Sequence, residues 1–179
     1  MQILTSPRLT LEPQMISHAG ELYTLFQDPA LYPFIHRTPP QSLERFQKGI
    51  ESLESRTSPD GTQQWLNWVS FLSGTSQIVG QIEVTIYRDD LRANLAYYTF
   101  SPYGKKGYAR EACLSVVQHL FREYRVSKVV IEMDVRNLAS VKLAESLGAM
   151  RIALRPRAEF LKGEWSDEYT YELLSAPQE

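Results

Sequence analysis

The sequence predicts an α/β chain of the α+β kind: a mixed, mostly antiparallel sheet of about seven strands with about four helices against it. Three observations carry this. Between residues 63 and 101 the apolar pattern has a strand period, in "QQWLNWVSFLS", "QIVGQIEVTIYRD" and "ANLAYYTFS", rich in β-branched and aromatic residues. Elsewhere the period turns helical, most plainly in "GYAREACLSVVQHLFREY". The strand–helix–strand run over 93–135 then requires one parallel pair, most simply through a right-handed crossover.

Taken in order, "ILTSPRLTLEP" (3–13) reads as a strand around Leu9 and Leu11, closed by Pro13. "HAGELYTLFQD" (18–28) is helical, with Leu22, Leu25 and Phe26 on one face. "LYPFIHRTPP" is irregular. "QSLERFQKGIESLESR" (41–56) is helical through Leu43, Phe46, Ile50 and Leu53; Ser42 with Arg45 is not a full capping box. "RTSPDGTQQ" (56–64) holds the usual turn formers. Three strands follow at 63–73, 77–89 and 93–101, joined by "SGTSQ" and "RDDLR". The helix at 107–124 carries a stripe of Cys113, Val116, Val117, Leu120 and Tyr124, which leaves His119 on its exposed face. "KVVIEMDV" (128–135) is a strand and "NLASVKLAESLGA" (137–149) a helix ended by Gly148. "MRIALRPRAEFLKG" (150–163) and "SDEYTYELL" (166–174) are the closing strands. No repeat or linker divides the chain, so residues 1–179 are expected to form one domain.

The bulk numbers narrow the function. At 43% hydrophobic and 22% charged residues, the chain is of the ordered globular kind. A net charge of -2 removes the basic face that a sequence-independent grip on nucleic acid needs. The lone Cys113 allows no intrachain disulfide. The 3 histidines have no metal-site spacing, so no metal is expected. The N-terminus lacks a charged head and an apolar stretch of signal length. No run approaches the ~18 apolar residues of a membrane span. A cytoplasmic protein without nucleic-acid or membrane partners is the expectation.

Chemistry concentrates in "SPYGKKGYAREA" (101–112), a loop between a strand and the strongest helix. N–H groups at a helix start lack helical partners, and the helix dipole favours an anion there. Gly107 lets a ligand approach the backbone, Ala109 keeps the first turn slim, and Lys105, Lys106 and Arg110 add positive charge. A Walker A loop would need Lys then Ser or Thr after its second glycine, but Tyr108 follows Gly107. The dinucleotide fingerprint would need a different glycine spacing from that of Gly104 and Gly107.

Residues 104–109 match the motif Q/R-x-x-G-x-G/A at a helix start, with Gly104 standing where Gln or Arg is usual. "NLASVKLAESLGA" is similar to a second motif, N-x-x-S followed by an L-G pair. With "LTSPRLTLEP" at the start and "LKGEWSDEYTYELL" at the end, the chain resembles the GNAT acyl-CoA N-acyltransferases, and within them the RimJ/RimL-like subgroup, over nearly its whole length.

That resemblance implies the GNAT fold, with acetyl-CoA held where two parallel strands, 93–101 and 128–135, splay apart. It implies pantetheine pairing with the backbone of Tyr98, Thr99 and Phe100 and the pyrophosphate on the amides of Lys105, Lys106, Gly107, Tyr108 and Ala109. A backbone N–H near Tyr98 would hold the thioester oxygen, a contact worth a few kcal/mol in the transition state. Asn137 would bond the pantetheine arm. Ser140 would hydrogen-bond the departing thiolate, since Ala144 stands where many members carry a Tyr acid. Glu83 is the candidate base, acting through water; Asn94 occupies a place where some members carry a carboxylate.

The acceptor is an amine, which must be neutral to attack. At about pH 7.5 deprotonation costs a lysine-type amine roughly 4 kcal/mol and an α-amine well under about 1 kcal/mol. A peptide α-amine is therefore the first expectation. The acidic residues Glu159, Glu164, Asp167, Glu168 and Glu172 also suit a polyamine or aminoglycoside. A non-catalytic acyl-CoA-binding module and a nucleotide-binding enzyme on the same loop are the rival readings; the chain is expected as monomer or homodimer.

Overall fold

The computed structural model describes residues 1–175. Its strands are β1 (Leu4–Thr5), β2 (Leu9–Pro13), β3 (Gln63–Leu72), β4 (Ile78–Tyr87), β5 (Arg92–Thr99), β6 (Lys128–Asp134), β7 (Met150–Leu161) and β8 (Glu164–Leu174). Its helices are α1 (Ala19–Leu25), α2 (Leu43–Leu53), α3 (Tyr108–Glu123) and α4 (Leu138–Ser146). One sheet takes the order β1-β2-β3-β4-β5-β6-β8-β7, antiparallel except for the parallel pair β5–β6. This is the mixed sheet expected, with eight strands instead of about seven. The extra one arises because residues 3–13 fold back on themselves. The Ser6 N–H donates to Leu9 O (2.9 Å) and its hydroxyl accepts from the Leu9 N–H (3.1 Å), so the Ser-Pro step becomes a turn.

Local chemistry sets the other boundaries. Ser42 caps α2, accepting from the Arg45 N–H at 3.3 Å. Helix α1 stops ahead of Pro29, where Asp28 accepts from the Ala30 N–H at 2.9 Å and begins a short 3-10 turn. Asn137 caps α4, and Gly148, at φ 86°, ends it.

Two apolar clusters lie on opposite faces of the sheet. On the α3 face, Leu66, Trp68, Ile82, Val84 and Leu95 meet Cys113, Val116, Val117 and Leu120. On the other, Val69, Ile78 and Phe100 meet Leu22 of α1, Phe26 just after it and Ile50 of α2. Neighbours such as Trp68 and Val69 fall on opposite faces because strand side chains alternate. Among the described residues, no helix is long and apolar enough to cross a membrane.

His119 departs from its expected place. It is buried (3% exposed), edge-on to the rings of Trp68 and Tyr124, and neither ring nitrogen has a hydrogen-bond partner. Burial holds its imidazole below the ordinary range. The unfolded chain therefore takes up a proton that the fold does not. Stability is full above about pH 6.5 and falls as the pH drops below it. Thermal melts between pH 7 and 5 should show this loss, and His119→Phe should flatten it. An unchanged slope in the variant would remove His119 as the cause.

Candidate active site

Strands β5 and β6 pair only through Arg92–Asn94 against Lys128–Val130, and then part. Beyond that point one edge of β5 has lost its neighbour. The Phe100 N–H donates to Val79 O (3.0 Å), on the β4 side. The Tyr98 carbonyl also turns to β4, onto Gly80, where any Cβ would strike it. Ladder alternation therefore aims the backbone groups of Tyr97 and Thr99 into the gap. This shifts the open edge expected at Tyr98, Thr99 and Phe100. The N–H of Phe100 is used, its carbonyl accepts from the Tyr103 N–H (2.8 Å), and its side chain is buried in the core.

At the far end of the gap, Gly107 caps α3 in the left-handed region, at φ 81°. The first helical N–H to find a backbone acceptor is that of Glu111, on Gly107 O (3.1 Å). The N–H groups of Tyr108, Ala109 and Arg110 thus lie in the unpaired first turn. The N-terminal hairpin braces this turn. Arg8 bonds Glu111 through Nε (2.7 Å), donates from Nη1 to Lys106 O (3.1 Å), and lies 4.7 Å over the Tyr108 ring. Ser6 adds a 2.7 Å bond to the same carboxylate. Arg110 is drawn to α4, donating to Ser146 O (3.2 Å), while Lys105 and Lys106 are exposed. A Gly-capped turn of free N–H groups beside two exposed lysines fits a pyrophosphate.

Where β5 and β6 part, between residues 95–98 and 131–134, lies a cleft of about 390 Å³. Tyr97, Tyr98, Asn137, Ser140 and Glu83 line it, facing Ile35, His36 and Arg37 from the irregular "LYPFIHRTPP". Ser140 and Asn137 come together because the Asn137 carbonyl oxygen caps α4 on the Ser140 N–H (3.2 Å). The Tyr97 hydroxyl crosses to α4 and donates to Ser140 O (3.4 Å). Tyr98 points to the opposite face, edge-on to Phe26. Arg37 joins that face: its Nη1 donates to Glu83 Oε1 (2.8 Å) and to the Tyr98 hydroxyl (3.0 Å). Burial, and after it the Glu83 charge, pushes the Tyr98 hydroxyl up to about 12, so at neutral pH it stays a phenol. The Arg37 and Glu83 side chains are 59% and 19% exposed; pairs this open are worth about 0.2–1 kcal/mol.

Five carboxylates line the cleft: Glu83, Glu132, Asp134, Glu159 and Glu168. Each has a basic partner. Glu83 holds Arg37; Glu132 and Glu168 share Arg155; Asp134 holds Arg136; Glu159 lies 3.1 Å from His36 Nε2. Their charge states diverge. Burial, with Glu168 next to it, raises Glu132. Burial would raise Asp134 too, but hydrogen bonds from Arg136 and Ser166 hold it at about 2. Asn94 donates to Glu132 at 3.5 Å, and its carbonyl oxygen is buried without a partner. Among the described residues, no group of His, Cys, Asp and Glu is disposed to hold a metal ion.

Arg37, Arg8, Tyr97 and Glu132 escaped the sequence reading. Arg37 lies in an aperiodic loop, and Arg8 acts across about a hundred positions of chain, so neither gave a local signal.

Comparison with known proteins agrees with this geometry. The acetyltransferase (GNAT) domain family matches residues 8–150. The Bacillus licheniformis protein called uncharacterized N-acetyltransferase p20 is 23% identical over 175 residues, 97% of either chain. The prophage-derived uncharacterized N-acetyltransferase YokL of Bacillus subtilis is 30% identical over 130 residues, 67% of this chain and 73% of that one. Among solved structures, the ribosomal L7/L12 α-N-protein acetyltransferase RimL, in complex with coenzyme A, is similar with a TM-score of 0.86 at 20% identity, covering 97% of this chain and 98% of that chain.

Proposed function

This chain belongs to the GNAT acetyltransferase family and is an acyl-CoA-dependent N-acetyltransferase; from that premise we propose that its acceptor is the α-amine of a peptide or protein N-terminus. One observation carries the choice. Every carboxylate lining the cleft has a basic side chain beside it, and even Glu132, which burial and Glu168 make more basic, lies against Arg155, so none stands unpaired as a base for an ammonium. An α-amine is about a quarter to two-fifths neutral near pH 7.5 and needs little help; a lysine-type amine must give up a proton at a cost of roughly 4 kcal/mol. The likeness to RimL, a ribosomal L7/L12 α-N-protein acetyltransferase, supports the same choice.

The roles follow from position. Acetyl-CoA supplies an activated acyl group. The N–H groups at the start of α3, with Lys105 and Lys106, would hold its pyrophosphate. Backbone groups of Tyr97 and Thr99 would pair with the pantetheine arm and steady the thioester oxygen. Ser140 would stand by the departing sulfur, and the Asn137 amide nitrogen, not used in the cap, by the arm. Glu83 would orient the incoming amine and take its proton through water. The proposal is of one domain over residues 1–179, acting in the cytoplasm as monomer or homodimer and without a metal.

The test is thiol release from acetyl-CoA with matched acceptors: a peptide with a free N-terminus, an N-blocked peptide with one lysine, spermidine, and an aminoglycoside. Turnover should be fastest with the free N-terminus. Preference for the polyamine or aminoglycoside would overturn the acceptor assignment, and binding without turnover on any amine would favour a non-catalytic module.

A further inference from the structure

Across the Arg37–Glu83 pair from the cleft lies a second chamber, of about 530 Å³. Phe26, Tyr32, Phe46, Ile50 and Leu53 supply apolar walls, joined by Pro39 and Pro40 in a space open to solvent. Arg37 and Glu83 line both spaces, so what divides them there is a pair of side chains. Arg37 is carried on a segment outside any helix or strand, and its side chain is mostly exposed. A rotation of that side chain would join the two spaces.

The chamber has a chemical bias. Its charged lining residues are Arg37, Arg45 and Glu83, two cations to one anion. A second ammonium, as in a polyamine or a lysine side chain, would meet net positive charge there. A hydrocarbon group would meet aromatic and aliphatic walls. The space also runs up to α2 at Gly49, where an added Cβ would have nothing within 4 Å.

We propose that this chamber receives the side chain of the acceptor's first residue, the one bearing the reacting amine, and that it selects an apolar side chain over a cationic one. The chamber adjoins Glu83, and the first side chain branches one carbon from the amine, so an amine beside Glu83 places that branch at the partition. The inference rests on the α-amine reading above and adds a substrate preference to it.

Gly49→Phe is the test. Gly49 lines the chamber but not the cleft, and replacing a helix-interior glycine does not oppose the helix. The acceptors are tetrapeptides that differ only in the first residue: Leu, Phe, Ala or Lys. The wild type should favour Leu and Phe over Lys by about tenfold or more in kcat/KM, the scale at which an apolar pocket discriminates. Gly49→Phe should cost the Leu and Phe peptides about tenfold through KM, leave kcat and the Ala peptide within about twofold, and Gly49→Ala should behave as wild type. An unchanged Leu-to-Ala ratio in Gly49→Phe, or an equal loss on all peptides, would overturn the chamber's role while continued peptide turnover kept the α-amine reading. No turnover of any peptide would overturn both.

Discussion

Gly107→Val is expected to cut the affinity for coenzyme A by roughly ten- to a thousandfold while the protein stays folded. The backbone at Gly107 has φ 81°, a region that costs a β-branched residue about 1–3 kcal/mol. Relief of that strain would turn the first N–H groups of α3 away from an anion. Hydrogen bonds to charged groups contribute about 1.5–3 kcal/mol each, so losing one costs roughly ten- to a hundredfold and losing two of about 2 kcal/mol approaches a thousandfold. Gly107→Ala should fall between, because its Cβ would sit 3.4 Å from Arg8 Nη2, a side chain able to yield. Calorimetric titration with coenzyme A reads the affinity, and a thermal melt reads the fold. Wild-type affinity in Gly107→Val would remove the loop from the donor site.

Glu83→Gln should lower kcat/KM for an α-amine peptide by about ten- to a hundredfold at pH 7, at or below the low end of what a positioned proton acceptor supplies. The loss should shrink toward pH 9, where the amine, with an ordinary pKa of about 7.7–8.0, is neutral without assistance. Part of it has a second source. The variant leaves the Arg37 guanidinium unpaired at the cleft, where it repels an incoming ammonium. Adding Arg37→Gln to Glu83→Gln should therefore restore some KM, a coupling that a double-mutant cycle isolates. A loss of about ten-thousandfold that ignored pH would mark Glu83 as an indispensable base. The acceptor would then be a lysine-type amine.

How far the sequence carried the reading depended on the reach of each signal. Element types between residues 41 and 174 were legible because periodicity and capping are local: Ser42, Asn137 and Gly148 end or begin helices where their chemistry says they should. The start of α3 at Gly107 was legible for the same reason. The first hairpin was not, since an apolar pattern around Leu9 and Leu11 is the same whether the chain before it continues or folds back. His119 was misplaced because a polar residue next to an apolar stripe reads as solvent-facing, and only the three-dimensional placement of Trp68 and Tyr124 buries it. The acceptor side was the least legible. Glu83 could be named, but its engagement by Arg37 spans 46 positions and decides whether it is free to act. Backbone phase at the gap was also out of reach, because a one-residue shift from Tyr98 to Tyr97 and Thr99 leaves the sequence pattern unchanged.

Arg8 and Ser6 hold Glu111 and the Lys106 carbonyl from a hairpin at the very start of the chain. Seating the proposed anion on α3 would therefore share one equilibrium with the docking of that hairpin. By thermodynamic reciprocity, whatever loosens the hairpin weakens the anion, and a bound anion protects the hairpin to the same degree. With the donor seated as proposed, the amides of β1 and β2, none of which lies at the cleft, would become remote reporters of its occupancy. The first eight residues would then belong to the enzyme's affinity as much as to its fold.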